Sequence, residues 1–304
     1  MTAAPTLKTI AITGATGLIG SALVARLRAK GRDIRRLVRS TRDPQAGDVS
    51  WNPDARTLDP AVLAGCDAIV HLAGAPIAQR WTASHKRDIR DSRVNGTSLL
   101  AKTIAAMPEK PRVVLSGSAI GYYGDRGDEL VDEQSAPGTG FLAEVGKAWE
   151  AAAEPIAQAG VRLVLLRTGI VLSPDGGALE KMLPPFRLGV GGPMGSGMQW
   201  LSWISLEDQL RAMEHALETE AVQGAVNLVS PNPVTNATFA TALGRVLRRP
   251  ALIPLPAFAL ELMFGEMGEA TILAGQRVVP RALSGAGFKF AEPTLEGALR
   301  SMLS

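Results

Sequence analysis

Apolar residues in this chain come in short unbroken runs that end in glycine or polar residues. Longer stretches follow in which apolar positions recur every three or four residues. The short runs predict buried strands and the longer stretches predict amphipathic helices. Ile10 to Ile12 is the first run, and Leu23, Val24 and Leu27 carry a helix through residues 21–30 that Gly31 ends. Asp33 to Val38 predicts the second strand, Asp48 to Trp51 a short edge strand, and Asn52 to Asp59 a turn-rich connection. Asp67 to Gly74 predicts the fourth strand, with His71 inside it as a structural residue. A long helix over Thr82 to Met107 and a strand over Arg112 to Ser116 come next. They are followed by a helix over Phe141 to Ala159 and a strand over Val161 to Arg167. Strands alternating with helices predict an α/β fold built on a doubly wound parallel sheet.

The pattern changes after residue 172. Pro174 to Gly197 is rich in Gly and Pro and predicts irregular, lid-like structure outside the sheet. Gln199 to Ile204 predicts a strand bearing Trp200 and Trp203, Leu206 to Leu217 a helix, Ala225 to Val229 a strand and Thr235 to Leu247 a helix. A proline-punctuated link, Pro250 to Pro256, leads to helical stretches at Phe258 to Met263 and Ala270 to Arg277. A last helix over Thr294 to Leu303 has Thr294 as its cap. These changes divide the chain into a core of residues 1–172 and a lid and small, mainly helical C-terminal domain of residues 173–304. The strands near 199–204 and 225–229 are expected to return partly to the core.

Candidate chemistry starts at the first strand. Thr9 to Thr13 runs into Gly14, Gly17 and Gly20, spaced three apart, and then into the first helix. Strand, glycine turn and helix is the setting of a dinucleotide-binding loop, which makes the sheet Rossmann-type. Gly14 allows a tight turn, Gly17 lets backbone approach a pyrophosphate, and Gly20 lets the helix pack on the sheet. The N–H groups at the helix start, among Thr16, Leu18 and Ile19, face the phosphates. A glycine triplet alone is a weak signal; a second strand in the expected place strengthens it. Arg39 ends that second strand, about 20 residues past the loop, where an NAD-specific protein carries a carboxylate. An arginine there suits a 2′-phosphate, and Ser40 adds a hydroxyl, so the expected cofactor is NADP(H). Backbone from Leu72 through Ala73 to Gly74 ends the fourth strand beside the glycine loop, close to the adenosine ribose or pyrophosphate. Thr168 to Leu172, with Val171, passes the sheet's carboxyl edge, where the nicotinamide end belongs.

Composition narrows this picture. The 304 residues suffice for a nucleotide domain with an appendage, and 46% hydrophobic content supplies a large core. The net charge of +3 comes with no dense Lys/Arg run, so nucleic acid is not an expected partner. Cys66, the single cysteine, excludes an internal disulfide and reads as a small buried residue. No apolar run approaches the roughly 20 residues of a membrane span. Met1 to Lys8 lacks the apolar core of a signal peptide. The expectation is a cytoplasmic protein, monomer or homodimer, acting with a small molecule and no metal.

The G-x-x-G-x-x-G spacing resembles that of the extended short-chain dehydrogenase/reductase superfamily, which includes sugar-nucleotide epimerases and dehydratases. Nearly the whole chain resembles one atypical group in it, the SDR39U1-like or YfcH-like epimerase family proteins with a DUF1731-type C-terminal domain. The stretches that carry this are Gly14 to Gly17, Ser116 to Ala119, Phe141 to Val145, Pro185 to Gly189, Gln199 to Ile204, Phe264 to Met267 and Gly275 to Val278. The resemblance implies an NADP(H)-binding fold and no particular substrate. It makes Arg93 and Asp88, on the helix that flanks the cofactor, candidate contacts, although Asp88 reads equally as part of an exposed charged face. Ser118 matches the hydroxyl residue that binds the reacting oxygen.

Superfamily members move the proton with a Tyr and a Lys four residues apart on one helix. Lys147 is present here, but Ala143 stands in place of the tyrosine. Lys147 is either a contact to the nicotinamide ribose or one more surface lysine. Tyr122 and Tyr123, the only tyrosines, lie on the loop after Ser118, either as packed aromatics or with Tyr122 supplying a hydroxyl to the site. Ser205 stands where many members of the group have a histidine. Two readings follow. One is an NADP(H)-dependent oxidoreductase or epimerase-like enzyme acting on a small hydroxyl or carbonyl compound through Ser118, Tyr122 and Lys147. The other is an NADP(H)-binding regulator or sensor without turnover.

Overall fold

The fold is a computed structural model that describes residues 7–39 and 47–303. Along the chain run β1 (Thr9–Thr13), α1 (Leu18–Ala29), β2 (Asp33–Val38), β3 (Asp48–Ser50), β4 (Ala68–His71), α2 (Ala83–Ala106), β5 (Val113–Ala119), β6 (Leu130–Val131), α3 (Phe141–Gln158), β7 (Arg162–Thr168), β8 (Ile170–Ser173) and α4 (Gly177–Arg187). There follow β9 (Trp200–Leu201), β10 (Trp203–Ser205), α5 (Leu206–Glu218), β11 (Gly224–Leu228), β12 (Val234–Thr235), α6 (Asn236–Leu247), α7 (Ala257–Phe264), α8 (Glu266–Gly268), β13 (Arg277–Val278), α9 (Arg281–Gly285) and α10 (Leu295–Leu303).

Among the described residues, seven strands form one sheet in the order β11-β7-β5-β4-β1-β2-β3. Every pair in it is parallel. Alternate side chains serve opposite faces. Ile10 and Ile12 of β1 join Leu23 and Leu27 of α1 and Met213 and Ala216 of α5 in one core cluster. Ala11 faces a second cluster with Leu100 and Ile104 of α2 and Ala153 and Ile156 of α3. Both faces are thus covered, which explains why the strands read as near-continuous apolar runs. The order reverses direction between β1 and β4, and that switch point is where a doubly wound sheet opens a crevice at its carboxyl edge.

The structure departs from the sequence expectations in the second half. Residues 177–187 form α4 although Pro184 and Pro185 lie inside it. Leu179, Leu183 and Phe186 recur at helical spacing and bury against Trp203, Phe239 and Leu243, and that burial outweighs the lost N–H donors. The 199–204 stretch splits at Ser202: β9 pairs antiparallel with β12, and β10 pairs parallel with β8. Ser202 instead bonds the C-terminal segment, donating to Gln276 O at 2.7 Å and accepting from Val278 N at 2.9 Å. Neither short strand joins the main sheet, whereas β11 forms its edge beside β7. The Ala270–Arg277 helix is reduced to a π-helical turn over Glu269–Leu273, followed by β13. A Cβ on Gly275 would lie 2.5 Å from Trp200 N, so the backbones meet too closely there for a helix to continue.

Candidate functional site

The glycine loop connects β1 to α1 at the switch point. Gly14 has φ +67°, and a Cβ on it would lie 2.7 Å from Leu72 C, so its turn needs glycine within the chain itself. A Cβ on Gly20 would lie 2.2 Å from Gly14 O. Gly17 is different. It is exposed, has φ −78° and ψ 170°, and meets only Gly14 O at 3.5 Å. Nothing in the folded chain asks for glycine at 17. Gly17 is also the N-cap of α1, with no side-chain cap and no acidic residue in the first turn. The helix start therefore presents uncapped N–H groups and a positive dipole end to whatever lies above Thr16 and Gly17. Leu18 and Ile19 are half-buried beneath it. The turn after β8 lies on this loop: a Cβ on Gly176 would be 3.1 Å from Leu18 Cδ1. Val171 of β8 packs on the same core cluster as Ile19 and Leu72.

A buried polar chain holds the end of β4 against β1. Thr13 Oγ1 accepts from Leu72 N at 3.1 Å and Ala73 N at 3.2 Å. Its hydroxyl hydrogen therefore goes to His71 Nδ1, 2.7 Å away. That makes Nε2 the protonated nitrogen, donating to Thr97 Oγ1 at 3.1 Å, which also accepts from Trp149 Nε1 at 3.0 Å. Burial pushes the His71 pKa down to about 4, so the ring is neutral. Beyond it, Ala75 N donates to Ser92 Oγ at 2.9 Å, and Arg93 donates to Ala75 O at 3.1 Å and Ile89 O at 2.9 Å. Arg93 lies over the Trp149 ring at 5.0 Å, and burial pulls its pKa down to about 10. Arg93 thus holds the Gly74–Ala75 turn, while Asp88 stands on the exposed face of α2.

On the other flank of the loop, a cavity of about 300 Å³ is lined by Ala15, Thr16, Ser21, Val24, Arg28 and Arg36, among others. Arg36 reaches Asp48 Oδ1 at 3.2 Å. Arg39 is exposed at the end of β2, and Ser40 lies outside the described residues. Arg28 and Arg36 are absent from the sequence reading. The signal was available: Arg36 shares the α1-facing side of β2 with Ile34, an unexpected place for a charge.

The residues picked for chemistry lie at the ends of β5 and β7 and on α3. Ser118 is buried and donates to Glu150 Oε1 at 2.6 Å. Glu150 is clamped by Arg167, with Nε on Oε1 and Nη2 on Oε2, both at 2.8 Å. Burial pulls the Arg167 pKa down, but the hydrogen bonds and charge of Glu150 outweigh this and raise it. Arg167 also donates to Tyr123 OH at 3.0 Å, which donates to Asn227 Oδ1 at 2.7 Å. Burial pushes Tyr123 up to about 12. Tyr123 is therefore a structural phenol. Tyr122 is half-buried, with the Arg167 guanidinium 3.7 Å from its ring centre. None of Glu150, Arg167 or Asn227 was singled out from the sequence, because only the fold brings 118, 150, 167 and 227 together.

Ala143 is fully buried, and the Ile120–Tyr123 turn packs on its neighbours. A Cβ on Gly146 would lie 3.2 Å from Tyr122 Cα, and one on Gly121 3.2 Å from Leu142 Cβ. Lys147 bonds Glu144 at 2.5 Å with its side chain 37% exposed. Ser205 caps α5, accepting from Asp208 N at 3.1 Å, so serine has a local reason at that position. Cys66 is buried, and burial pushes its thiol up.

Residues 10–228 match the NAD dependent epimerase/dehydratase family, and residues 255–302 match a domain of unknown function, DUF1731. The chain is 46% identical over 291 residues to epimerase family protein Mb2239 of Mycobacterium bovis, covering 95% of this chain and 96% of the relative. It is 36% identical to the human epimerase family protein SDR39U1, covering 97% of this chain and 99% of the relative. A crystal structure of human SDR39U1 (isoform 2) with NADPH superposes with a TM-score of 0.88 at 35% identity, covering 97% of this chain and 98% of that one. The glycine loop, the switch-point crevice and these likenesses together show that the chain belongs to the NAD dependent epimerase/dehydratase family and carries a C-terminal DUF1731 domain.

Proposed function

We propose that the protein binds NADP(H) at the β1–α1 loop and acts as an oxidoreductase or epimerase-like enzyme on a small hydroxyl or carbonyl compound. The observation that carries this is Gly17, a glycine that the folded chain does not need, at an uncapped helix start. A pyrophosphate supplies the missing reason, and the human relative solved with NADPH supports the choice of ligand. Bound NADP(H) would supply the hydride donor or acceptor. In this reading Gly14, Thr16, Gly17, Leu18, Ile19 and Gly20 surround the pyrophosphate, and Leu72, Ala73 and Gly74 border the adenosine side. Arg39 and Ser40 take the 2′-phosphate, and Val171 borders the nicotinamide. Arg93, which holds the Gly74 turn, and Asp88 flank the cofactor from α2 in this reading. The core that does this is taken as residues 1–172, with 173–304 covering the substrate side.

Ser118 is the oxygen-directed residue of this reading. Its hydrogen is committed to Glu150, a carboxylate ion-paired to Arg167, so toward the substrate Ser118 Oγ accepts rather than donates. Such an oxygen recognises a hydroxyl hydrogen and orients an alcohol. Tyr122 and Lys147 complete the site. Lys147 would turn from Glu144 to the ribose, and Tyr122 would supply a phenol from the loop side. The second reading, a cofactor-responsive regulator without turnover, is favoured by Ala143 alone. Thermal denaturation with NADPH and with NADH tests the cofactor assignment: NADPH should give the larger rise in Tm, and Arg39→Ala should erase the difference. Equal shifts in the native chain would exclude the Arg39 assignment. A panel of alcohols and carbonyl compounds, followed by NADPH absorbance, separates the enzyme from the regulator.

A further inference from the structure

Ten large hydrophobic side chains stand exposed among the described residues, and nine of them fall on residues 188–198 and 252–263. These two stretches are neighbours. Ile253 N donates to Gly191 O at 3.3 Å, Leu255 N donates to Pro193 O at 2.9 Å, and Gly189 lies against Pro250. Leu252 is 82% exposed. α7 continues the surface with Phe258 and Leu262, four residues apart on one side of the helix and 71% and 76% exposed, while only Leu260 turns inward. The exposed apolar residues together present on the order of 1,000 Å². That exceeds the largest patch of a typical monomer, roughly 300–600 Å², and the roughly 800 Å² that each partner contributes to a stable interface. No exposed large hydrophobic lies on α2 or α3.

We infer that this face, built from the end of α4, the 250–256 link and α7, is a two-fold interface with a second copy of the chain. Its charges favour that occupant. Exposed Arg187, Arg248 and Arg249 lie at one end, where Leu188 and Pro250 begin the surface. Exposed Glu261 and Glu269 lie toward the other, on α7 and the π turn beyond it. A two-fold axis through the apolar middle lays the basic end of one copy on the acidic end of its partner. An anionic bilayer would meet Glu261 between Phe258 and Leu262, where it repels. The inference does not depend on the cofactor assignment.

Sedimentation velocity of the full chain over a dilution series tests it. A monomer–dimer equilibrium is expected for the native sequence. Phe258→Glu and Leu262→Glu should each weaken it on the order of 100-fold, as loss of a central apolar anchor does. Their circular dichroism should match that of the native chain, and so should their Tm at dilutions where the native chain is monomeric, since both side chains are exposed. Glu261→Arg and Arg249→Glu should each weaken the dimer, and the double variant should recover most of the loss. A chain that stays monomeric at every concentration overturns the inference, as does a dimer that persists in Phe258→Glu and Leu262→Glu. A monomer that co-sediments with phosphatidylglycerol-containing vesicles overturns it in favour of a membrane surface.

Discussion

The three loop glycines differ in what each one answers to. Gly14 and Gly20 answer to backbone atoms of the chain itself, at 2.7 Å and 2.2 Å from an added Cβ, and Gly17 to nothing inside the protein. Gly20→Ala should therefore lower stability by roughly 1–3 kcal/mol through overpacking, read as a lower denaturation midpoint. Gly17→Val should cost about 1 kcal/mol or less, through loss of a permissive N-cap, and abolish the rise in Tm that NADPH produces. A Gly17→Val protein that still responds to NADPH would place the phosphates elsewhere. His71 gives a second expectation. Its folded pKa of about 4 lies below the ordinary 6.5, so between those values the unfolded chain binds more protons. Stability should fall as pH drops from 6.5 toward 4, by on the order of 3 kcal/mol from this residue. Urea midpoints across that range should decline less steeply in His71→Gln.

At the scale of elements, α3 carries Ala143 at the position where the family resemblance implies a tyrosine. Ala143, Gly146 and Glu150 occupy one buried side of it, where the Ile120–Tyr123 turn and the Ser118–Glu150–Arg167 chain pack. The ion pair joins α3 to the end of β7 and is buried on both sides. Removing one partner strands the other charge, so Arg167→Met should cost about 3–5 kcal/mol in a chemical denaturation experiment. Glu150→Gln with Arg167→Met should recover part of that loss, because the pair is then replaced by uncharged groups. A loss below about 1 kcal/mol in Arg167→Met would mean that water or another group already satisfies Glu150.

Over the whole molecule, cofactor binding stabilises the fold by mass action. A ligand that binds only the folded chain stabilises it by about 2.7 kcal/mol at 100 times its dissociation constant. NADPH at that excess should produce a shift several times larger than equal NADH, and Arg39→Ala should bring the two together. The C-terminal region is tied to the segment that follows β4. Lys86 pairs with Glu266 at 2.6 Å, and Arg80 donates to Leu262 O at 3.3 Å. A cluster of Trp81, Phe141, Leu142, Val145 and Met267 fills the space between the starts of α2 and α3 and α8. Among the described residues no helix is long and apolar enough to cross a membrane.

Local pattern alone was enough for the sheet core. The runs at Ile10–Ile12 and Asp33–Val38 and the glycine spacing are short-range signals, because strand alternation and turn geometry act over a few residues. The place of the glycine loop and of Arg39 could be read for the same reason. Long-range pairing decided the rest. Pro184 and Pro185 argue against a helix locally, and only the pocket around Phe239 and Trp203 makes α4 the better outcome. Ser118 looks like a free hydroxyl in the sequence. Which way its hydrogen points is set by Glu150, 32 residues away, and Glu150 is held in turn by Arg167 from another strand. Arg93 is a candidate ligand contact in the sequence, and only the fold shows that its guanidinium also bonds a backbone turn 18 residues away. A side chain's partner is chosen by the three-dimensional neighbours that compete for its donors and acceptors, and a linear pattern carries no record of that competition.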